Sequence, residues 1–141
     1  MLLGVSDKVD VLRAVPLFAD LDERSLEAVA ILAHEVSFKA GEMVMLEGEP
    51  GNTFLVIVDG TVRIERGDRT IRSMTAGGFL GEIALFDHRP RTATVTCVTD
   101  LAALEIRAHE FERLLDTLPA VHRRIRAAVD RRSHGRDWEA V

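Results

Sequence analysis

Residues 41–62, GEMVMLEGEPGNTFLVIVDGTV, carry the pattern that decides the fold. Two apolar runs, 43–46 and 54–58, are too short for helices and are separated by Gly48, Pro50, Gly51 and Asn52, a cluster of turn-forming residues. Asp59-Gly60 then reads as a hairpin signal, and beyond it Val62 and Ile64 alternate with Arg63 and Glu65, the period of a half-buried strand. The same rhythm runs outward in both directions. Upstream, Val36 and Phe38 alternate with polar neighbours before the turn-like residues 39–42; downstream, Gly67-Asp68 turns the chain into residues 70–74. Residues 94–98 and 101–106 supply the last extended segments. Short strands punctuated by turn chemistry predict a sandwich or jelly roll.

On either side of this β region the period returns to 3.6. Residues 9–15 form a short helical piece stopped by Pro16, and Asp22 is an N-cap for a helix whose Leu26, Val29, Ala30 and Ala33 fall on one stripe. After Ala108, Phe111, Leu114, Leu115 and Leu118 form a second stripe. Pro119 suits the first turn of a further helix, where its missing N–H costs nothing, and Val121, Ile125, Ala128 and Val129 share a face of it until Gly135. The prediction is one α+β domain over residues 1–135. Helices occupy 8–33, an antiparallel, jelly-roll-like β-roll of about eight strands occupies 34–107, and two helices occupy 108–134, with a mobile tail at 136–141.

Bulk composition narrows the function classes. The 141 residues are 47% apolar and 29% charged, enough for one hydrophobic core and typical of a folded chain. No apolar run approaches the ~20 residues of a membrane helix, and no leader opens the chain, so a cytoplasmic protein without a membrane span is expected. The single Cys97 excludes an intramolecular disulfide. The net charge of −5 argues against wholesale nucleic-acid binding, although residues 120–136 hold six arginines against one acid, Asp130. His34, His88, His109, His122 and His134 lack the close pairing of a β-roll metal site, and no Gly-x-Ser-x-Gly occurs; neither a metal nor an enzyme is expected.

The chemistry concentrates in residues 81–95, GEIALFDHRPRTATV. Glu82 and Arg91 stand nine residues apart around an apolar segment long enough for one helical turn. A helix N-terminus offers free N–H groups and partial positive charge to a phosphate, and Arg91 adds a planar, permanently charged fork. Glu82 can accept hydrogen bonds from sugar hydroxyls. Together they suggest a nucleotide-like ligand bearing a phosphate and a free hydroxyl.

Residues 41–62 and 79–95 (FLGEIALFDHRPRTATV) resemble the cyclic nucleotide-binding domain family, with a likeness running from about residue 12 to about residue 132. The resemblance implies a β-roll that holds the ligand and a short phosphate-cassette helix. Arg91 would pair with the cyclic phosphate and Glu82 with the ribose 2′-hydroxyl, with Gly81 and the backbone of Ile83, Ala84, Thr92 and Ala93 completing the cradle. Ile64 and Met74 match the base-contacting positions of the roll, plain core packing being the other reading of both; Arg72 shares their face. The last helix resembles the capping helix of the channel branch, which would place Val129 and Arg131, with Arg132 as substitute, over the purine. The expected ligand is cAMP, with cGMP left open because the Thr92 hydroxyl can meet either the phosphate or a guanine amine. No other cofactor is expected. The chain lacks the helix-turn-helix of bacterial regulators, so no DNA-binding module is expected. Its partner would be a protein effector, with the domain a monomer or weak homodimer. The alternative is a non-enzymatic interaction or regulatory subunit whose roll binds cGMP or no nucleotide.

Overall fold

The computed structural model describes residues 3–81, 90–120, 122, 123, 126 and 127. Two helices lead the chain, α1 (Val5–Arg13) and α2 (Glu23–Leu32), joined through a 3-10 turn at Pro16–Phe18. Asp22 caps α2 as its sequence position predicts, its Oδ1 accepting the N–H of Ser25 at 2.8 Å. Lys8 pins α1 across the end of α2 by donating from Nζ to the carbonyl of Ala33 at 2.7 Å.

Eight strands follow: β1 (His34–Phe38), β2 (Met43–Met45), β3 (Thr53–Asp59), β4 (Val62–Arg66), β5 (Arg69–Met74), β6 (Phe79–Leu80), β7 (Thr94–Cys97) and β8 (Leu101–Arg107). They build two antiparallel four-stranded sheets in jelly-roll order, β1-β8-β3-β6 and β2-β7-β4-β5. Helix α3 (Ala108–Asp116) closes the described core, and a further helical segment starts at Pro119, where His122 donates its N–H to Leu118 at 2.9 Å. The fold is therefore the α+β β-roll that the sequence predicts. The expected cassette helix and most of the last helix, with Val121, Ile125, Ala128 and Val129, lie outside the described residues.

The Asp59-Gly60 pair behaves differently from its sequence signal. Strands β3 and β4 belong to opposite sheets, so the turn carries the chain from one sheet to the other instead of closing a hairpin. Gly60 adopts φ 109°, and a Cβ there would overlap the carbonyl oxygen of Asp100, so only glycine fits the crossing. The Gly67-Asp68 turn does close a hairpin, pairing Arg66 with Arg69 across β4 and β5.

Two cores explain why β3 reads as an unbroken apolar run. Its Phe54 and Val56 pack with the helices, while Leu55 and Ile57 point into the roll between the sheets. A strand covered on both faces has no polar side to alternate with. Strand β8 divides likewise, Leu104 and Ile106 facing the helices and Leu101 and Ala103 the roll. Phe18 joins helices to sheet, its ring 5.8 Å from Phe54 and 6.1 Å from Phe111, edge-on to both.

Candidate functional site

Arg91 precedes β7 and is stitched to residues 48–50 on both sides of its peptide. Its N–H donates to the carbonyl of Glu49 at 2.8 Å, its own carbonyl accepts from Gly48 at 2.9 Å, and Pro90 bridges Pro50. These contacts turn the side chain toward the start of β3. There Nη2 donates to the carbonyl of Thr53 at 3.0 Å and to its Oγ1 at 2.9 Å.

Two glycines make room for the guanidinium. A Cβ on Gly51 would lie 2.5 Å from Arg91 Cζ and 2.6 Å from Cδ, closer still to Nε. On the other side, a Cβ on Gly81 would lie 2.7 Å from Arg91 Nη1 and 2.5 Å from the Thr53 carbonyl oxygen. Gly81 also holds φ 83°, which strains any other residue. The guanidinium therefore sits in a slot walled by Gly51, Gly81 and Thr53.

The electrostatics of this slot favour an anion. Burial lowers the pKa of Arg91 from its ordinary value, because desolvation penalises the charged form. Among the described residues no carboxylate forms an ion pair with it. A guanidinium carries five N–H donors. Nη2 spends its two on Thr53, leaving Nε and Nη1 without a partner among the described residues. A half-buried, desolvated cation with donors to spare gains from a ligand that brings one negative charge.

The neighbouring backbone is fixed from the opposite side. Arg66, at the end of β4, donates from Nε to the carbonyl of Thr92 at 2.8 Å. Glu47 accepts the N–H of Gly67 at 2.8 Å and donates its own N–H to Thr94 Oγ1 at 3.0 Å. The β4–β5 turn and residues 92–94 thus form one hydrogen-bonded unit. An open cleft lies beside the turn, lined by Arg66, Arg69, Thr70 and Ile71.

Among the residues the sequence singled out, Gly81, Arg91, Thr92 and Ala93 lie on this edge of the roll, Gly81 and Arg91 in direct contact and Ala93 fully buried. Ile64 is fully buried in the inter-sheet core, and Met74 is packed half-buried against it. Arg72 stands opposite Ile64 in the β4–β5 ladder and is exposed. Glu82, Ile83, Ala84, Val129, Arg131 and Arg132 lie outside the described residues. Thr53, Gly51 and Arg66 were not singled out by sequence. The contact between Arg91 and Thr53 spans 38 residues, so no local spacing announces it; Gly51 looked only like turn chemistry.

A β-roll with a half-buried arginine before β7 defines a class of ligand-binding domain, and the chain belongs to the cyclic nucleotide-binding domain family, whose model matches residues 35–118. It is similar to the N-terminal domain of a transcriptional regulator from Streptomyces coelicolor A3(2), with 32% identity and a TM-score of 0.80 over 87% of this chain and 89% of that one. It also resembles a cAMP-dependent protein kinase regulatory subunit from Emericella nidulans, 30% identical over 80% of this chain and 28% of that protein. A cGMP-dependent protein kinase from Toxoplasma gondii is 34% identical over 77% of this chain and 11% of the kinase. The chain thus spans less than a third of the length of these two curated relatives. Among the described residues no helix is long and apolar enough to cross a membrane.

Proposed function

We propose that this domain is a sensor for a purine cyclic nucleotide, cAMP being the first ligand to try and cGMP the second. The observation that carries this reading is the Arg91 guanidinium, desolvated, slotted between two glycines and not ion-paired among the described residues. A 3′,5′-cyclic phosphate carries one negative charge and leaves one ribose hydroxyl free. Arg91 meets the charge with its remaining donors, helped by the amides of Ile83, Ala84, Thr92 and Ala93, and Glu82 accepts from the 2′-hydroxyl. Met74 faces the base from the roll, with Ile64 in the core behind it, and Val129 and Arg131 close over it. Closure draws its free energy from the ligand's higher affinity for the closed state.

The domain performs no chemistry of its own in this reading. It passes a binding event to a protein effector, in the cytoplasm, as a monomer or weak homodimer. Support for a purine cyclic nucleotide comes from family membership and from the relatives named for cAMP and for cGMP. Thr92 can serve either base, so the nucleotide is decided by titration. Isothermal titration of the wild type and Arg91→Ala with cAMP and cGMP tests the reading: the substitution removes about 2–5 kcal/mol of binding, as truncating one partner of a buried charge pair does. Equal affinity in both proteins would overturn it.

A further inference from the structure

Thr53 and Gly51 bear on how Arg91 is presented before any ligand arrives. A free arginine side chain samples many rotamers, and an anion that must order it loses that entropy from its affinity. Here the ordering is built into the fold. Thr53 is the first residue of β3 and is locked in register opposite Arg107 of β8, so its carbonyl and hydroxyl are fixed relative to the sheet. Both accept from the same nitrogen of Arg91, at 3.0 and 2.9 Å, which fixes the position of Nη2 and the plane of the fork. Gly51 and Gly81 approach the guanidinium so closely that a Cβ on either would overlap it.

We infer that Thr53 and Gly51 are positioning residues that hold Arg91 in its ligand-ready orientation in the empty protein, committing Nη2 to the sheet and leaving the other guanidinium donors for the anion. The hydroxyl of Thr53 is the element a different side chain would lack, because the carbonyl is present whatever residue stands there. Gly51 contributes by absence: the three atoms its missing Cβ would meet most closely all belong to the Arg91 side chain, and Gly51, unlike Gly81, has no left-handed φ. An alanine at position 51 therefore displaces the arginine without straining the backbone.

The functional consequence rests on the cyclic-nucleotide reading, whereas the positioning itself is measurable without ligand. In the free wild type, the Nε–H resonance of Arg91 in a nitrogen-edited spectrum, assigned by its loss in Arg91→Lys, is expected to be resolved and slow to exchange with water. Thr53→Val and Gly51→Ala should broaden it or merge it with the exposed arginines, and Thr53→Ser should restore it. With cyclic nucleotide, Thr53→Val and Gly51→Ala weaken affinity about tenfold, the range expected for one hydrogen bond to a charged group, while Thr53→Ser stays close to wild type. If Thr53→Val does not fold, Gly51→Ala carries the test. An unchanged Arg91 resonance in both variants, or affinities within twofold of wild type, would overturn the positioning role. A wild type that shows the ordered resonance but binds no cyclic nucleotide would instead overturn the functional reading alone.

Discussion

Arg66 donates its Nε–H to the carbonyl of Thr92 at 2.8 Å, tying the last residue of β4 to the residue that follows Arg91. The peptide of Thr92 is part of the proposed phosphate cradle, so this bond sets where a backbone donor can stand. Arg66→Met keeps most of the apolar stem and removes the donors. It is expected to weaken cyclic-nucleotide binding several-fold and to lower unfolding free energy by about 1 kcal/mol at most, the worth of a single partly exposed hydrogen bond. Titration beside chemical unfolding separates the two effects. Unchanged affinity would mean that the Glu47 contacts to Gly67 and Thr94 are enough to hold this segment.

Arg91→Met separates binding from stability. Burial of the Arg91 charge costs free energy in the empty protein, and no carboxylate among the described residues offsets it. Arg91→Met also gives up the two hydrogen bonds to Thr53. The relieved desolvation and the lost bonds should nearly offset, so the ligand-free variant should unfold close to the wild-type temperature. Ligand stabilisation is the quantity that disappears: at a hundred times Kd the wild type gains about 2.7 kcal/mol, and the variant gains almost none at the same concentration. Thermal unfolding with and without nucleotide reads both. A large loss of stability in the empty variant would show that Arg91 is chiefly a structural residue.

Phe18 holds the helices on the β1-β8-β3-β6 sheet. It is fully buried and edge-on to both Phe54 in β3 and Phe111 in α3, so its removal opens a cavity shared by three elements. Phe18→Ala is expected to cost about 3–5 kcal/mol, with Phe18→Leu costing clearly less. Urea unfolding checks the pair. Equal costs would mean that the site collapses around the smaller side chain.

The strands and helices were legible because each buries a face with its own period. Asp22, the α2 stripe and the alternation in β4 all appear where the sequence places them. The Asp59-Gly60 pair misled because a glycine with positive φ serves a sheet crossing as well as a hairpin, and only the pairing of β8 between β1 and β3 tells them apart. Strand β6 was hidden because Phe79 and Leu80 are two residues long and show no alternation to count. Arg91 could be named from its motif, but its surroundings could not. Thr53 and Gly51 reach it only after β3 and residues 48–50 have been brought to the same edge of the roll.

Cys97 gives a pH dependence with a defined sign. It is buried in the inter-sheet core, and its thiol pKa is raised, first by desolvation and then by the charges of Glu42 and Asp100. In the unfolded chain the thiol titrates at about 8.5. A folded pKa above the unfolded one means that the native state keeps its proton where the unfolded state gives it up. The thiol's contribution is thus fully present below the unfolded pKa and is lost as pH rises through that value toward the folded one. Native Cys97 should accordingly resist a thiol reagent at neutral pH and react once denaturant is added. In urea titrations, the stability advantage of wild type over Cys97→Ala should shrink between about pH 7 and pH 9.5. An advantage constant across that range would mean that only packing volume distinguishes the two side chains.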